Sequence, residues 1–158
     1  MTYDVTKNVK VDWSIQPIFE DVVVGQELND VIIPISVYRL ICAVAATRDF
    51  NAIHHNTEVA RANGVDDMYA MTTFLLGTWE RALREFIGAK GRINKIEGFR
   101  MRSFNLVGST VAVRGRVIET RVEDGVGRVD IEMWTENDGK PSIGPGRCTV
   151  TMPLRSEA

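Results

Sequence analysis

The sequence is poor in the residues that build metal and disulfide sites, with 2 cysteines and 2 histidines in 158 residues. The histidines, His54 and His55, are chain neighbours. No Cys or carboxylate set around them has metal-ligand spacing, so no metal is expected. Cys42 and Cys148 lie far apart in apolar or strand-like runs. They read as free, buried thiols of a reducing compartment, not as a disulfide. No apolar run approaches the ~18 residues of a membrane span, and the opening MTYDVTKNVKVDW holds no signal-peptide core. A soluble, cytoplasmic protein is expected. An excess of one charge is missing too: 19 Lys+Arg against 21 Asp+Glu leave a formal net charge of −2. That argues against a dedicated nucleic-acid binder, which needs a basic excess or stripe. There is no phosphate-cradling glycine loop and no nucleophile motif around a Ser or Cys. No repeat, low-complexity stretch or Pro/Gly/Ser linker divides the chain.

What is present is a globular composition, 44% hydrophobic and 25% charged. One domain over residues 1–158 is expected, with residues 1–18 as an N-terminal extension and 154–158 as a tail. A chain of this length buries a core without a staple.

Periodicity divides the chain. Val22–Val24 and Val31–Ile33 read as two short extended runs separated by Gly25 and Asn29-Asp30. Ser36 is placed to cap a helix carrying Val37, Leu40, Ile41, Val44 and Ala45. A short helix is expected over 57–63, stopped by Gly64. Met68, Met71, Leu75, Trp79, Leu83 and Phe86 form one helical stripe, predicting a helix roughly 30 Å long that starts behind Asp66 or Asp67 and stops at Gly88. Beyond it the period changes to two. Phe99–Phe104, Val111–Ile118, Val129–Trp134 and Cys148–Met152 alternate apolar with polar residues, with Asp124-Gly125 and Asp138-Gly139 as hairpin turns. The fold class is α+β: a curved antiparallel sheet wrapped around a long central helix. Arginines at 92, 100, 102, 114, 116, 121 and 128 read mostly as the solvated face of that sheet. Their charge also suits pairing with the phosphates of a nucleotide-like ligand.

Chemistry concentrates in ATRDFNAIHHNTEVARANG. Asp49 and His54 are five positions apart, which is not one helical face, so a turn after the first helix is the expected setting. There a carboxylate and an imidazole can converge on one water. Imidazole, with an ordinary pKa of ~6.5, exchanges protons with water near neutral pH. A carboxyl group can orient that water or deliver a proton to carbon. Asn51 offers a neutral donor and acceptor. The plainer readings are an Asx turn at Asp49 and a satisfied core histidine at His54. Backbone N–H groups at the start of the long helix, around Met68–Met71, can stabilise an oxyanion.

Together, FEDVVVGQEL, the helix after it, RDFNAIHHNTEVARANG, the long helix, and FRMRSFNLVGSTVAVRGRV resemble the MaoC-like dehydratases, among them the (R)-specific enoyl-CoA hydratases, from about Phe19 to Pro153. The resemblance implies a single hot-dog domain. It implies reversible addition of water to a trans-2-enoyl-CoA, giving an (R)-3-hydroxyacyl-CoA. Asp49 and His54 match the catalytic pair, His54 as base toward water and Asp49 orienting it and relaying a proton to the α-carbon. Asn51 matches a positioning residue. The family's His-Gly pair, whose glycine N–H serves as oxyanion donor, falls on Tyr69-Ala70, so the donor would be Ala70 N–H. Thr78 falls where a small hydroxyl residue lines the pocket. Three positions depart from the pattern: Arg48 replaces a usual glycine, Ala52 a usual proline, and Tyr69-Ala70 the His-Gly pair. No cofactor beyond the CoA thioester substrate is implied. The expected partner is a second hot-dog subunit, as a homodimer or with a related MaoC-like chain. Two alternatives stand beside hydration: a non-catalytic subunit that binds acyl-CoA or completes a partner's site, and a hot-dog acyl-CoA thioesterase.

Overall fold

Alternating side chains build one antiparallel sheet in the computed structural model, which describes residues 3–157; positions 1, 2 and 158 of the extension and tail lie outside the described residues. Strand β1 is Val31–Pro34, β2 Arg92–Glu97, β3 Thr110–Glu123, β4 Val126–Asn137 and β5 Lys140–Met152. Helix α1 is Val37–Thr47, α2 Thr57–Ala62 and α3 Thr72–Ile87. The strand order is β1-β3-β4-β5-β2. All three helices therefore lie in the crossover that carries the chain from one sheet edge to the other.

Both Asp-Gly hairpins form where the sequence places them. Asp124 and Gly125 take φ of 53° and 75°, Asp138 and Gly139 47° and 83°, the left-handed pair that a two-residue turn requires. The long strands bend at register shifts, between Val117 and Glu119 on β3 and around Thr135 on β4. Such bulges let a sheet curl. Inside the curl lies α3. Leu75, Trp79, Leu83 and Ile87 are fully buried against Val113, Ile131, Met133 and Val150. The Trp79 indole N–H donates to Thr135 Oγ1 at 2.8 Å, and Phe99 meets the ring edge-on.

Several expectations are corrected. The central helix begins at Thr72, not behind Asp66 or Asp67; its 16 residues span about 24 Å. Asp67 is occupied elsewhere, accepting from the Thr57 hydroxyl at 2.6 Å and from Met68 N–H at 2.7 Å. Val22–Val24 forms no strand. Val23 and Val24 stand exposed in a turn whose Gly25 N–H donates to Val117 O. Phe99–Phe104 is a loop with one bridge, Met101 to Ile143, and the strand lies earlier, at β2. Cys148 is buried, its thiol pushed up to about 12 by desolvation. Cys42, expected inside, is exposed on α1. No helix among the described residues is long and apolar enough to cross a membrane.

Candidate functional site

The site begins where α1 ends. Ser36 Oγ accepts from Arg39 N–H and starts the helix. Arg48, at φ 56°, ends it in the left-handed region. That residue turns the chain, and Asp49 leads the following loop. Asn51 then accepts from Ile53 N–H at 3.3 Å and caps a single 3-10 turn, Ala52–His54. The turn drives the His54 ring inward, leaving its side chain 8% exposed beside an Asp49 side chain at 40%. Asn51 itself stays at the surface and shapes the turn.

The two functional groups meet. His54 Nδ1 lies 2.8 Å from the carbonyl oxygen of Tyr69. A carbonyl only accepts, so this bond assigns the proton to Nδ1 and leaves the Nε2 lone pair free in neutral imidazole. Nε2 lies 3.6 Å from Asp49 Oδ2. That is too long for a direct hydrogen bond, and short enough for one water to bond both. The Tyr69 ring stands edge-on to His54 at 5.0 Å and leans on Phe104 at 4.5 Å. Burial pushes the Tyr69 phenol above its ordinary range, and the charge of Asp49 adds to the shift.

Tyr69 and Ala70 do not start a helix. Tyr69 bridges Leu106, and Ala70 N–H donates to Asn105 O at 2.9 Å. This corrects the expectation that Ala70 N–H is a free oxyanion donor: its proton is already spent in an extended pairing. Among the described residues, the amides of Met71, Thr72, Thr73 and Phe74 precede the first intrahelical bond, Leu75 N–H to Met71 O, and have no acceptor. The Thr47 hydroxyl donates to Ala43 O at 2.8 Å and touches Met71 Sδ at 3.3 Å, a contact between the end of α1 and this helix start.

Thr78 lies apart from Asp49 and His54. It is buried and donates to Leu75 O at 2.6 Å. It lines a cavity of about 560 Å³ between α3 and β1 that also touches Phe74, Arg39 and Arg81 but neither Asp49 nor His54. Asn105 is the site residue that sequence reasoning missed. It is fully buried, it holds Ala70, and its Oδ1 accepts from Asn137. Its neighbours Arg102–Phe104 looked like strand, and nothing in the sequence marks a buried loop asparagine.

No protein-family model matches this sequence, and no curated protein does. Solved structures do match it. The ChsH1-ChsH2 complex from Mycobacterium tuberculosis has a chain 24% identical, with a TM-score of 0.73 over 82% of this chain and 98% of that one. R-hydratase PhaJ1 from Pseudomonas aeruginosa is 18% identical, with a TM-score of 0.77 over 87% of this chain and 86% of its own. A protein described as a MaoC-like dehydratase is 22% identical, with a TM-score of 0.75 over 89% of this chain and 45% of the longer one. With its five-stranded curled sheet closed around α3, this chain has a hot-dog fold like that of these solved structures.

Proposed function

We propose that this protein is a hydratase of the MaoC-like family that adds water reversibly to a trans-2-enoyl-CoA and gives the (R)-3-hydroxyacyl-CoA. One observation supports the reading: His54 Nδ1 is bonded to Tyr69 O, and its Nε2 lies 3.6 Å from Asp49 Oδ2, a separation that one water can bridge.

The chemistry balances on these two groups. Nε2 accepts one proton from the water as its oxygen bonds to C3 of the enoyl chain. The C2=C3 electron pair moves to C2, with charge on the thioester oxygen. The proton passes through the Asp49 carboxyl to C2, so hydroxyl and hydrogen add to adjacent carbons and both side chains return to their starting state. Tyr69 O holds the imidazole in the productive tautomer throughout. First-turn amides of α3 supply the donors that Ala70 does not.

The test is hydration of trans-2-enoyl-CoA, followed as loss of the conjugated thioester chromophore. Asp49→Asn and His54→Ala should each lower kcat/KM by about 10²–10⁴. Equal rates for all three proteins would remove both residues from the mechanism. Release of free thiol in place of a hydroxyacyl thioester would make the protein a thioesterase.

A second reading has its own observation. With Ala70 N–H committed to Asn105, the oxyanion position differs from the family's glycine. A subunit that binds acyl-CoA and completes a partner's site fits that difference. It requires ligand binding without turnover until a second MaoC-like chain is added.

A further inference from the structure

The cavity between α3 and β1 holds positive charge with nothing to balance it. Arg39, on α1, is half-buried and lines this space of about 560 Å³. Its Nη1 donates to Pro34 O at 2.5 Å, a neutral acceptor, and it has no ion-pair partner among the described residues. A second guanidinium, Arg81 on α3, lines the same cavity. Glu85 takes its Nε–H at 2.7 Å, which leaves both of its Nη groups to other acceptors. No Asp or Glu lines the cavity. A cation drawn partly out of water without a counter-charge is costly, and a bound anion offsets that cost.

The rest of the cavity suits an anion carried on an apolar stem. Phe74, Ile33 and Val5 give it an apolar wall. It follows one face of α3, on which Thr73, Gly77 and Arg81 succeed each other at a spacing of four. Gly77 lies inside the helix, where glycine is destabilising relative to alanine. Neither backbone nor packing demands it there: its φ is not positive, and a β-carbon built on it meets nothing within 4 Å. The missing side chain leaves the helix backbone bare to the cavity. From Thr73 to Arg81 the helix rises about 12 Å, at ~1.5 Å per residue. At the near end, Thr73 and Phe74 belong to the first turn of α3, whose amides are the donors that the proposed hydration offers to the thioester oxygen. An acyl chain held there has this face of the helix as its path, with the guanidinium groups ahead of it.

We propose that the cavity receives the far end of the acyl chain and that this end is acidic: the substrate is the CoA monothioester of a dicarboxylic acid, its free carboxylate held between Arg39 and Arg81. The assignment names the substrate class of the proposed hydratase and rests on that reading for the position of the thioester. Guanidinium groups bond a carboxylate through paired, coplanar N–H groups. A methyl terminus in the same place would leave both cations unbalanced.

The experiment is isothermal titration calorimetry on the full chain. The probes are the saturated CoA monothioesters of glutaric, adipic, suberic and sebacic acids, each beside the same thioester with its far carboxyl methylated. Saturated chains cannot be hydrated, so binding is read independently of turnover; hydration of the matching trans-2-enoyl thioesters is measured separately. At one or more chain lengths the free acid should bind at least about tenfold more tightly than its ester, the scale of one charge-assisted hydrogen bond. That preference should shrink in Arg39→Gln and in Arg81→Gln, and vanish in R39Q/R81Q, with the circular dichroism spectrum unchanged. Gly77→Leu puts a good helix former into open space, so it should raise the urea midpoint while weakening acid and ester alike. No binding of either form, equal binding of acid and ester at every length, a preference that survives in R39Q/R81Q, or undiminished affinity in Gly77→Leu would each overturn the proposal. A preference for the acid that follows the two arginines, without hydration of any enoyl thioester, would support the cavity's assignment and overturn the hydratase reading instead.

Discussion

Two side chains at the candidate site stand where the conformation favours another residue. Arg48 holds φ 56° at the end of α1. The left-handed region costs a β-carbon about 1–2 kcal/mol, partly offset in glycine by ~0.5–1 kcal/mol of unfolded-chain entropy. Arg48→Gly should therefore stabilise the fold by about 0.5–1 kcal/mol in urea unfolding. A loss of stability would mean that the arginine makes a contact worth more than its strain. Ala52 is the first residue of the 3-10 turn that delivers His54, and Asn51 before it sits at φ −63°, ψ 122°. The first position of a helical turn suits proline, and that backbone suits the residue preceding one. Ala52→Pro should add about 0.4–1 kcal/mol by restricting the unfolded chain. It should leave the proposed enoyl-CoA hydration at whatever level the wild type shows, since neither Asp49 nor His54 moves; destabilisation with lost activity would show that the Ala52 N–H is needed. The departures at 48 and 52 from the MaoC-like pattern that the sequence resembles are thus matters of local backbone cost, whereas the one at 69–70 leaves Ala70 N–H bonded to Asn105 O.

At the scale of elements, the parts legible in the sequence were those with a local physical signature. Ser36 caps α1 because its hydroxyl has one task at that position. The Asp-Gly hairpins form because few residue pairs accept φ > 0 twice in a row. The α3 stripe from Leu75 to Ile87 faces the sheet as its spacing requires. Elements decided by tertiary pairing were not legible. RINKIE reads as neither helix nor strand because Asn94 breaks the period, and it becomes β2 only by pairing with β5. The alternation of Phe99 and Met101 with arginines did report burial correctly, but burial is not pairing. The same distinction holds for Met68–Met71, whose apolar residues continue the helical stripe while the backbone is recruited by Asn105 and Leu106. The seating of α3 also rests on one polar contact, Trp79 Nε1–H to Thr135 Oγ1, in a fully buried setting. Thr135→Val keeps the shape and strands the indole N–H. It should cost about 1–3 kcal/mol in chemical denaturation; a neutral result would mean that the indole finds another acceptor.

Across the whole molecule, the outer sheet face is held by a charge network centred on one buried carboxylate. Asp130 on β4 accepts from Arg147 at 2.7 Å and from Thr149, both on β5, and from Arg121 on β3. Glu119 on β3 also pairs with Arg147, so three strands are tied beside the β2 edge. Burial alone would push the Asp130 carboxyl up, but the hydrogen bonds from Arg147, Thr149 and Arg121 outweigh it and hold it at about 2, below the ordinary 3.8. The sign follows from linkage: a carboxyl that ionises more readily folded than unfolded stabilises the protein wherever both states are ionised. Above pH ~4 that amounts to about 2 kcal/mol, at 1.36 kcal/mol per pKa unit. As pH falls below 4 the unfolded chain takes up the proton first, and the contribution shrinks until it is gone below about 2. Asp130→Asn should lower unfolding free energy by about this amount at pH 7, with the gap to wild type narrowing steadily between pH 4 and 2 in urea titrations. The salt dependence of the gap should be weak, because the Asp130 side chain is 1% exposed and mobile ions screen such a group poorly. A gap of constant size from pH 7 to 2 would show that Asp130 titrates alike in both states, and that the three-strand network contributes packing without charge.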